Sequence, residues 1–337
     1  MMAAADPAGM ASVWEIAPAT YRLAVPTPFA VGAVNAYLLA GTPLTLIDGG
    51  PNIATSLLEL ERLVRTCGYE LADIELLLIT HQHMDHEGLT AIVAERSGAE
   101  VACLRPVADY LGAQAENQLA DDRFAQALMR RHGIEPQVVD ALASVASIVV
   151  GLGAPVAATR RLEPGELIEA GGRTLRALHR PGHSPGDTVF VDEASGVMFS
   201  GDHLLGHISS NALVTGKLQD GVRTRTRPLL EYRESLIATG KLELEITLPG
   251  HGEAISDHRA LIARRLEGQQ LKAERIHALL RERPLSAHEL ASALYGRVAF
   301  SQAFLALSEV LGHLDLLIED GLVSGDEDAQ EIIFHAT

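Results

Sequence analysis

Residues 80–86 read Thr-His-Gln-His-Met-Asp-His and directly follow the apolar run 76–79. Four of these seven side chains, those of His81, His83, Asp85 and His86, are of types that bind metal ions. His81 and His83 are two positions apart, so at the end of an extended segment their side chains leave the same face and can close on one cation. The stretch predicts a buried strand, a ligand-bearing loop and then a helix from about Glu87.

Three further segments repeat this arrangement, each with a strand-like run that ends in glycine and a ligand residue. They are 181–187 (Pro-Gly-His-Ser-Pro-Gly-Asp), 199–203 (Phe-Ser-Gly-Asp-His) and 248–252 (Leu-Pro-Gly-His-Gly). Their candidate ligands are His183, Asp202 and His251. Since strand ends gather at one edge of a sheet or sandwich, we expect these residues to join the first motif where a substrate can reach them.

The order HxHxDH, PGH, GD and GHG resembles that of the metallo-β-lactamase-fold hydrolase superfamily, over roughly residues 20 to 255. The resemblance implies an α/β protein with an αββα sandwich and a two-metal site. It implies that one metal is held by His81, His83 and His183, the second by Asp85, His86 and His251, and that Asp202 bridges them. It further implies that Asp48, in the run 46–50, orients a ligand histidine.

The chemistry of these ligands favours hydrolysis. Zn²⁺ accepts imidazole and carboxylate, and a catalytic site leaves a position for water, whose pKa then falls towards about 7. We expect two Zn²⁺, roughly 3.5 to 4 Å apart, with a metal-bridging hydroxide as the nucleophile and with Asp85 and Asp202 as catalytic residues. Iron and manganese are the alternative metals, because iron also accepts histidine and carboxylate.

A competing motif, G-x-S-x-G at 182–186, is typical of serine hydrolases. In that motif the residue after the serine donates its backbone N–H to the oxyanion, and here that residue is Pro185, which has no N–H. The residues that follow, 187–192, favour a strand rather than the helix the motif requires. We therefore do not expect Ser184 to be a nucleophile.

Composition is that of a cytoplasmic enzyme. The 337 residues, 47% of them hydrophobic, can bury a large core and predict two domains, at 1–256 and 257–337. Cys67 and Cys103 are the only cysteines, so no disulfide framework is expected. Residues 1–12 carry no signal-peptide pattern, and no apolar run reaches the roughly 18 residues needed to cross a membrane.

Residues 106–150 form a helical insertion, longer than an ordinary connection. Such segments often make lids or substrate walls, and an equally good interpretation is that the helices pack a homodimer. The candidates for lining a pocket are Tyr110, Phe124, Met129 and His132, although core packing explains the three apolar ones as well.

A cationic cluster follows Asp202. It contains Lys217, Arg223, Arg225 and Arg227, with His207 just before it. We hypothesise that His207, Arg223 and Arg225 approach the site and attract an anionic substrate, because the guanidinium fork matches carboxylate and phosphate. The alternative is a solvated loop.

Past residue 256 the pattern predicts helices at 257–283, from Ser286 to 294 and at about 301–319, then a hairpin around an acidic turn. This winged-helix-like order resembles the branch of the superfamily that includes the β-lactamase-like protein 2 relatives, some of them ribonucleases. However, 298–337 contains no Lys or Arg and the net charge is −17. A phosphate backbone would be repelled, so the sequence argues against nucleic acid and favours a packing or dimerisation module.

These patterns predict a metal-dependent hydrolase of an ester, thioester or lactone of a small or acyl-carrier substrate. A nuclease or phosphodiesterase of the same fold, a mono-iron persulfide dioxygenase and a non-catalytic metal-stabilised binding protein remain alternatives.

Overall fold

Apolar residues at alternate positions build two sheets that face each other. The computed structural model describes residues 13–219, 222–296, 302–326, 329 and 331–337, without the side chains of 147–150, 218–219 and 222–223. The first sheet has seven strands in chain order. These are β1 (Val13–Ala17), β2 (Thr20–Val25), β3 (Val34–Leu39), β4 (Thr45–Ile47), β5 (Leu76–Leu78), β6 (Glu100–Leu104) and β7 (Arg160–Leu162). The strands from β1 to β4 pair antiparallel, and those from β4 to β7 pair parallel.

The second sheet has five strands in the order β14-β11-β10-β9-β8. Their bounds are β8 (Leu167–Ala170), β9 (Arg173–His179), β10 (Thr188–Asp192), β11 (Val197–Gly201) and β14 (Ile246–Pro249). A separate hairpin pairs β12 (Gly216–Gln219) with β13 (Val222–Arg225). Leu76 and Leu78 share a buried cluster with Phe190 and Phe199 of the second sheet. Leu77 points to the opposite face, as the two-residue period of a strand requires.

Helices flank both sheets, in agreement with the αββα sandwich that the family resemblance implied. Three pack on the first sheet through a second cluster, namely α1 (Ala54–Thr66), α3 (Thr90–Ser97) and α4 (Arg105–Gly112). A short helix, α2 (Met84–Glu87), precedes α3. Beside the second sheet lies α7 (Pro228–Thr239), where Ser235 Oγ donates to the carbonyl of Pro181 at 2.7 Å.

Parallel pairing brings the predicted site motifs to one edge of the sandwich. In the first sheet β4 and β5 run parallel, so the residues after Ile47 and Leu78 emerge together. In the second sheet β11 and β14 run parallel, with Gly201 opposite Pro249. All four strands therefore deliver their following loops to the site, and the strands predicted before the 181, 199 and 248 segments are confirmed in type.

The C-terminal helices and the insertion share one core. The remaining elements are α5 (Gln114–Arg131), α6 (Pro136–Val149), α8 (His258–Glu282), α9 (Ala287–Tyr295), α10 (Ala303–Glu319), β15 (Leu285–Ser286), β16 (Val323–Gly325) and β17 (Ile333–Ala336), with 3-10 turns at Leu71–Asp73 and Val150–Leu152. Leu128 and Met129 of the insertion are buried with Leu290 and Leu311 of the C-terminal region. The homodimer stays a prediction, and this packing gives the insertion a partner within its own chain.

The order of C-terminal elements agrees with the sequence analysis. The predicted capping box opens α9, with the Ser286 hydroxyl and the Glu289 carboxylate each accepting a backbone N–H. Strands β15, β17 and β16 form a small sheet in that order. Assignment to the winged-helix branch and the boundary at 256 stay predictions. The described helices include none that is long and apolar enough to span a membrane, and residues 1–12 lie outside the described part.

Candidate metal centre

All seven predicted ligands come together at the sandwich edge. Their ligand atoms form three overlapping groups, in each of which the atoms lie within 4.8 Å of one another. The groups are His81, His83 and His183; His81, His86 and Asp202; and Asp85, His86 and His251. The first and third are the two triads that the family resemblance implied. The middle group joins one residue of each triad to Asp202.

In the first triad three imidazoles converge on one point. His83 Nδ1 lies 3.1 Å from His81 Nε2 and 2.8 Å from His183 Nε2. These nitrogens are close enough to share one cation. His81 is buried, and His83 and His183 are half-buried, so the triad is reached from one side.

In the second triad His86 and His251 are fully buried and Asp85 is partly exposed. His251 Nε2 lies 3.3 Å from Asp85 Oδ2. Neither His86 Nε2 nor His251 Nε2 has a hydrogen-bond partner among the described residues. Buried polar atoms are normally satisfied, so two unpartnered nitrogens aimed at one carboxylate-lined point fit a cation.

Asp202 lies between the triads. Its Oδ1 is 3.3 Å from His86 Nε2, and its Oδ2 is 3.7 Å from both His183 Nε2 and His251 Nε2. Oδ1 is buried and has no hydrogen-bond partner within the described chain. The position of Asp202 is consistent with the bridging role that the family resemblance implied for it, which remains a proposal.

In four of the histidines, Nδ1 forms a hydrogen bond with an oxygen atom on the side away from the centre. His86 Nδ1 donates to Asp48 Oδ2 at 2.8 Å, and His81 Nδ1 donates to the Thr80 hydroxyl at 3.0 Å. His183 Nδ1 donates to the carbonyl of Asn211 at 3.0 Å, and His251 Nδ1 to that of Ala33 at 2.8 Å. These bonds fix the tautomer and leave each Nε2 lone pair facing the centre.

Asp48 organises the back of the site. Besides His86, it accepts from the backbone N–H of Thr80 at 2.9 Å and from the Thr80 hydroxyl at 2.8 Å. Its φ of +56° is unusual for a residue other than glycine. The local conformation places one carboxylate between two ligand loops.

The protonation states largely suit a divalent cation. Burial lowers the pKa of His83 to about 3, so its ring is neutral at physiological pH. Burial opposes a charge on Asp202, but the neighbouring His86 outweighs it and holds the pKa of that carboxyl well below its usual range. His86 is different: burial disfavours its charge, but Asp202, Asp48 and Asp85 together raise its pKa. A cation bound there has to displace a proton from His86.

Gly250 explains why the GHG motif needs its first glycine. A Cβ at this position would lie 2.4 Å from Asp202 Oδ1 and 2.6 Å from His86 Cε1. Any larger residue would displace the Asp202 carboxylate or the His86 ring. The glycine therefore allows both triads to close around Asp202.

The centre opens into a cavity of about 910 Å³. Four candidate ligands, His83, Asp85, His183 and Asp202, form its floor. Most of the other lining side chains are apolar, and they come from the loop 205–213, from 29–31, from Met84 on α2 and from the C-terminal helices. The arrangement can therefore bring a largely apolar molecule to the metal ligands.

The residues of the competing serine motif form a turn. Ser184 Oγ donates to Asp187 Oδ1 at 2.7 Å, and its backbone N–H donates to Asp187 Oδ2 at 2.9 Å. Strand β10 follows at Thr188. The structure therefore agrees with the rejection of Ser184 as a nucleophile.

The predicted substrate residues lie elsewhere. Arg225 makes a two-point ion pair with Asp315, which is fully buried, and neither residue lines the cavity. His207 stacks against Gly252, whose Cβ would meet its ring at 2.6 Å, and it does not line the cavity either. The side chain of Arg223 lies outside the described residues. The expectation that Arg225 faces the site is therefore corrected, because a buried carboxylate holds it.

The pocket candidates of the insertion lie away from the cavity, and for Phe124 and Met129 the structure agrees with the core-packing alternative. Met129 and Phe124 pack in the core shared with the C-terminal helices, and His132 stacks on Phe334 at 5.9 Å between ring centroids. Tyr110 lines a separate small pocket. Of the four pocket candidates in the insertion, none lines the cavity above the metal ligands.

Sequence reasoning missed Asn211 and Arg265. The Asn211 carbonyl orients His183, and its amide donates to the carbonyl of Leu305 on α10 at 3.0 Å. Arg265 on α8 donates to the carbonyls of Leu205 at 3.1 Å and Ile208 at 2.6 Å. In both cases the contact involves a backbone carbonyl, which every residue type has, so the sequence gives no sign of it.

Comparisons with known proteins agree with this geometry. The family model described as "Metallo-beta-lactamase superfamily" matches residues 30–251. "Probable metallo-hydrolase YqjP" of Bacillus subtilis is 33% identical over 313 residues, covering 92% of this chain and 95% of that protein. The crystal structure of a "Beta-lactamase domain protein" from Burkholderia ambifaria is 27% identical with a TM-score of 0.83, covering 98% of this chain and 95% of that one. "Thioesterase pkgB" of Emericella nidulans is 32% identical over 143 residues, covering 42% of this chain and 38% of that protein.

Proposed function

We propose that this chain, which belongs to the metallo-beta-lactamase superfamily, is a dinuclear zinc hydrolase of acyl thioesters. The observation that carries the proposal is the pair of three-residue ligand groups joined by Asp202 at the floor of a largely apolar cavity. The matched segment of a relative named as a thioesterase supports the thioester among the acyl compounds that such a site can cleave. Oxygen esters and lactones undergo the same acyl chemistry.

The ligand types support two zinc ions. The first triad offers three imidazoles, and the second offers two imidazoles and one carboxylate. Zn²⁺ accepts both kinds of donor. Two divalent cations, when bound, lower the pKa of coordinated water and polarise the acyl carbonyl. Within each triad the protein supplies three ligands, and Asp202 can serve both.

The protein's own groups hold the reactants and the proton. Water adds its oxygen to the acyl carbon, the C–S bond breaks, and the thiolate takes up a proton that the water has lost, giving a carboxylic acid and a thiol. Of the carboxylates that line the cavity, Glu309 pairs with Lys272, whereas Asp85 and Asp202 lie at the ligand groups and are therefore placed to carry that proton. His183 on the same floor is held for the ligand role by its bond to the Asn211 carbonyl.

A nucleic-acid substrate is disfavoured by charge. Among the described residues that line the cavity, Lys272 is the only Lys or Arg, and it pairs with Glu309. With a net charge of −17 for the whole chain, a polyphosphate backbone would be repelled. A small-molecule substrate in the cytoplasm, without a nucleic-acid or membrane partner, is therefore part of the proposal.

Paired substrates test the proposed function. The purified protein is analysed for metals, reconstituted with Zn²⁺ and given a thioester, a lactone and a phosphodiester. We expect about two zinc ions per chain and thiol release. One iron per chain with oxygen consumption would instead support the dioxygenase, and cleavage of the phosphodiester alone would support the nuclease.

The Asp202→Ala variant provides the matched comparison. Losing the carboxylate between the two triads should lower metal occupancy and reduce thiol release by orders of magnitude. Wild-type turnover in this variant would show that Asp202 is not the bridge.

A further inference from the structure

The upper part of the cavity is a largely apolar surface, to which the C-terminal helices contribute. Above the metal ligands, the apolar lining residues are Phe29, Val31, Met84, Leu205, Ile208, Leu213, Leu305 and Ala306. Leu305 and Ala306 lie on α10, and Leu205, Ile208 and Leu213 lie on the loop after β11. Together with Phe29 and Val31 between β2 and β3 and Met84 on α2, four separate segments present apolar side chains to the same space.

Several of these side chains are exposed although they are large and apolar. Ile208 and Leu305 are each 41% exposed, and Tyr295 is 40% exposed. All three line the cavity. Exposed apolar residues that cluster at one opening are typical of a ligand-binding surface, because leaving them in water costs free energy that a bound apolar group recovers.

The charges of the upper cavity cancel within the protein. Lys272 Nζ pairs with Glu309, and it lies 5.6 Å from the centre of the Tyr295 ring. Both ends of the ion pair line the cavity. The pair leaves no uncompensated Lys or Arg in the described lining for an anionic group to meet.

We infer that this cavity binds the acyl part of the substrate, that this acyl group is uncharged and apolar, and that it packs against Leu305 of α10. The inference rests on the proposed function for the position of the scissile bond, which lies over the metal ligands. It adds the class of acyl group and assigns a specificity-determining contact to the C-terminal helical region.

A substrate series of N-acetylcysteamine thioesters tests the acyl group. Each methylene moved from water into an apolar site contributes roughly fourfold to affinity. We expect kcat/KM to rise by at least about tenfold from the hexanoyl to the decanoyl thioester. The adipoyl thioester, with the hexanoyl chain length but a terminal carboxylate, should be at least about tenfold poorer than hexanoyl. Equal rates for hexanoyl and adipoyl would overturn the inference.

Leu305→Asp tests the assigned contact, with Leu322→Asp as its matched control. Leu322 is 39% exposed, nearly the same as Leu305, but it lies in the turn after α10 and does not line the cavity. We expect Leu305→Asp to lower kcat/KM for decanoyl by about tenfold or more, and Leu322→Asp to change it less than about twofold. Leu305→Lys should also lower decanoyl turnover while improving the adipoyl thioester. Equal losses in Leu305→Asp and Leu322→Asp would contradict the contact.

Binding of a thioether analogue separates this inference from the proposed function. S-decyl-N-acetylcysteamine is a thioether and lacks the thioester carbonyl and its scissile C–S bond, so calorimetry with it reports on binding without thioester hydrolysis. We expect binding to the wild type and to Leu322→Asp, and at least about tenfold weaker binding to Leu305→Asp. If no thioester is hydrolysed but this pattern holds, the proposed function fails and the apolar site stands. If thioesters are hydrolysed but the analogue binds all three proteins equally, the inference fails alone.

Discussion

Asp48 is the residue on which the orientation of the second triad most depends. Its carboxylate accepts hydrogen bonds from His86 Nδ1 and from the backbone N–H and hydroxyl of Thr80. Asp48 does not line the cavity, so its effect on the site is indirect. Groups that orient a ligand histidine typically contribute 10- to 100-fold to metal affinity. We expect Asp48→Ala to weaken zinc binding by about this factor, measured by competition with a chromophoric chelator.

Asp192→Ala is the control for Asp48→Ala. Asp192 is also buried, and it likewise accepts from backbone N–H groups and a hydroxyl, those of Ala194 and Ser195. Its loss should reduce stability without changing zinc affinity. If both variants lose affinity equally, general destabilisation rather than orientation of His86 is the cause.

At this scale the sequence predicts the ligands but not all of the groups behind them. The seven candidate ligands stand in motifs that the sequence shows, Asp48 follows from the family resemblance, and the structure brings all eight together. Asn211 and Ala33 hold His183 and His251 through backbone carbonyls. Any residue type supplies a carbonyl, so this part of the site depends on the tertiary fold alone.

Among the elements, the loop between β11 and β12 depends on α8. Arg265 on α8 donates to the carbonyls of Leu205 and Ile208, both of which line the cavity. A hydrogen bond from a charged donor contributes about 1.5–3 kcal/mol. We expect Arg265→Ala to speed amide hydrogen exchange at 205–208 and to lower kcat/KM for apolar thioesters several-fold.

Arg264→Ala is the neighbouring control. Arg264 precedes Arg265 on α8 and is exposed. Its replacement should leave both exchange and turnover close to wild type. Unchanged exchange at 205–208 in Arg265→Ala would show that the loop is held by other contacts.

The apolar periodicity of the sequence predicted the helices and strands better than it predicted which of them pack together. The buried strand at 76–79, the strand after Asp187 and the three C-terminal helices all follow from apolar spacing and one capping box. The packing of α5 and α6 against the C-terminal helices could not be predicted, because an apolar helix face does not specify which other face it meets. For the same reason the insertion was considered as a lid or a dimer contact.

For the molecule as a whole, Arg225 connects the β12–β13 hairpin to α10. Its guanidinium pairs with Asp315, whose side chain is fully buried. Removing one partner of a buried pair costs about 3–5 kcal/mol, because the other charge stays buried without compensation. We expect Arg225→Leu to lower the free energy of unfolding towards the lower end of that range, since Arg227 Nε remains 3.9 Å from Asp315. Urea denaturation measures the change.

Arg105→Leu serves as the comparison for Arg225→Leu. Arg105 pairs with Glu163, but their side chains are 60% and 58% exposed. Exposed pairs contribute about 0–1 kcal/mol, so this variant should be nearly as stable as the wild type. A loss for Arg225→Leu no larger than that for Arg105→Leu would rule out a structural role, and the original hypothesis of an anion-attracting arginine would regain support.

The release of thiol from decanoyl-N-acetylcysteamine during titration of the metal-free protein with Zn²⁺ tests the central claim most directly. Two triads joined by Asp202 predict that the rate rises until about two equivalents of Zn²⁺ have been added and then stays constant. A maximum at one equivalent, or no thiol release at any zinc concentration, would contradict a two-zinc thioesterase.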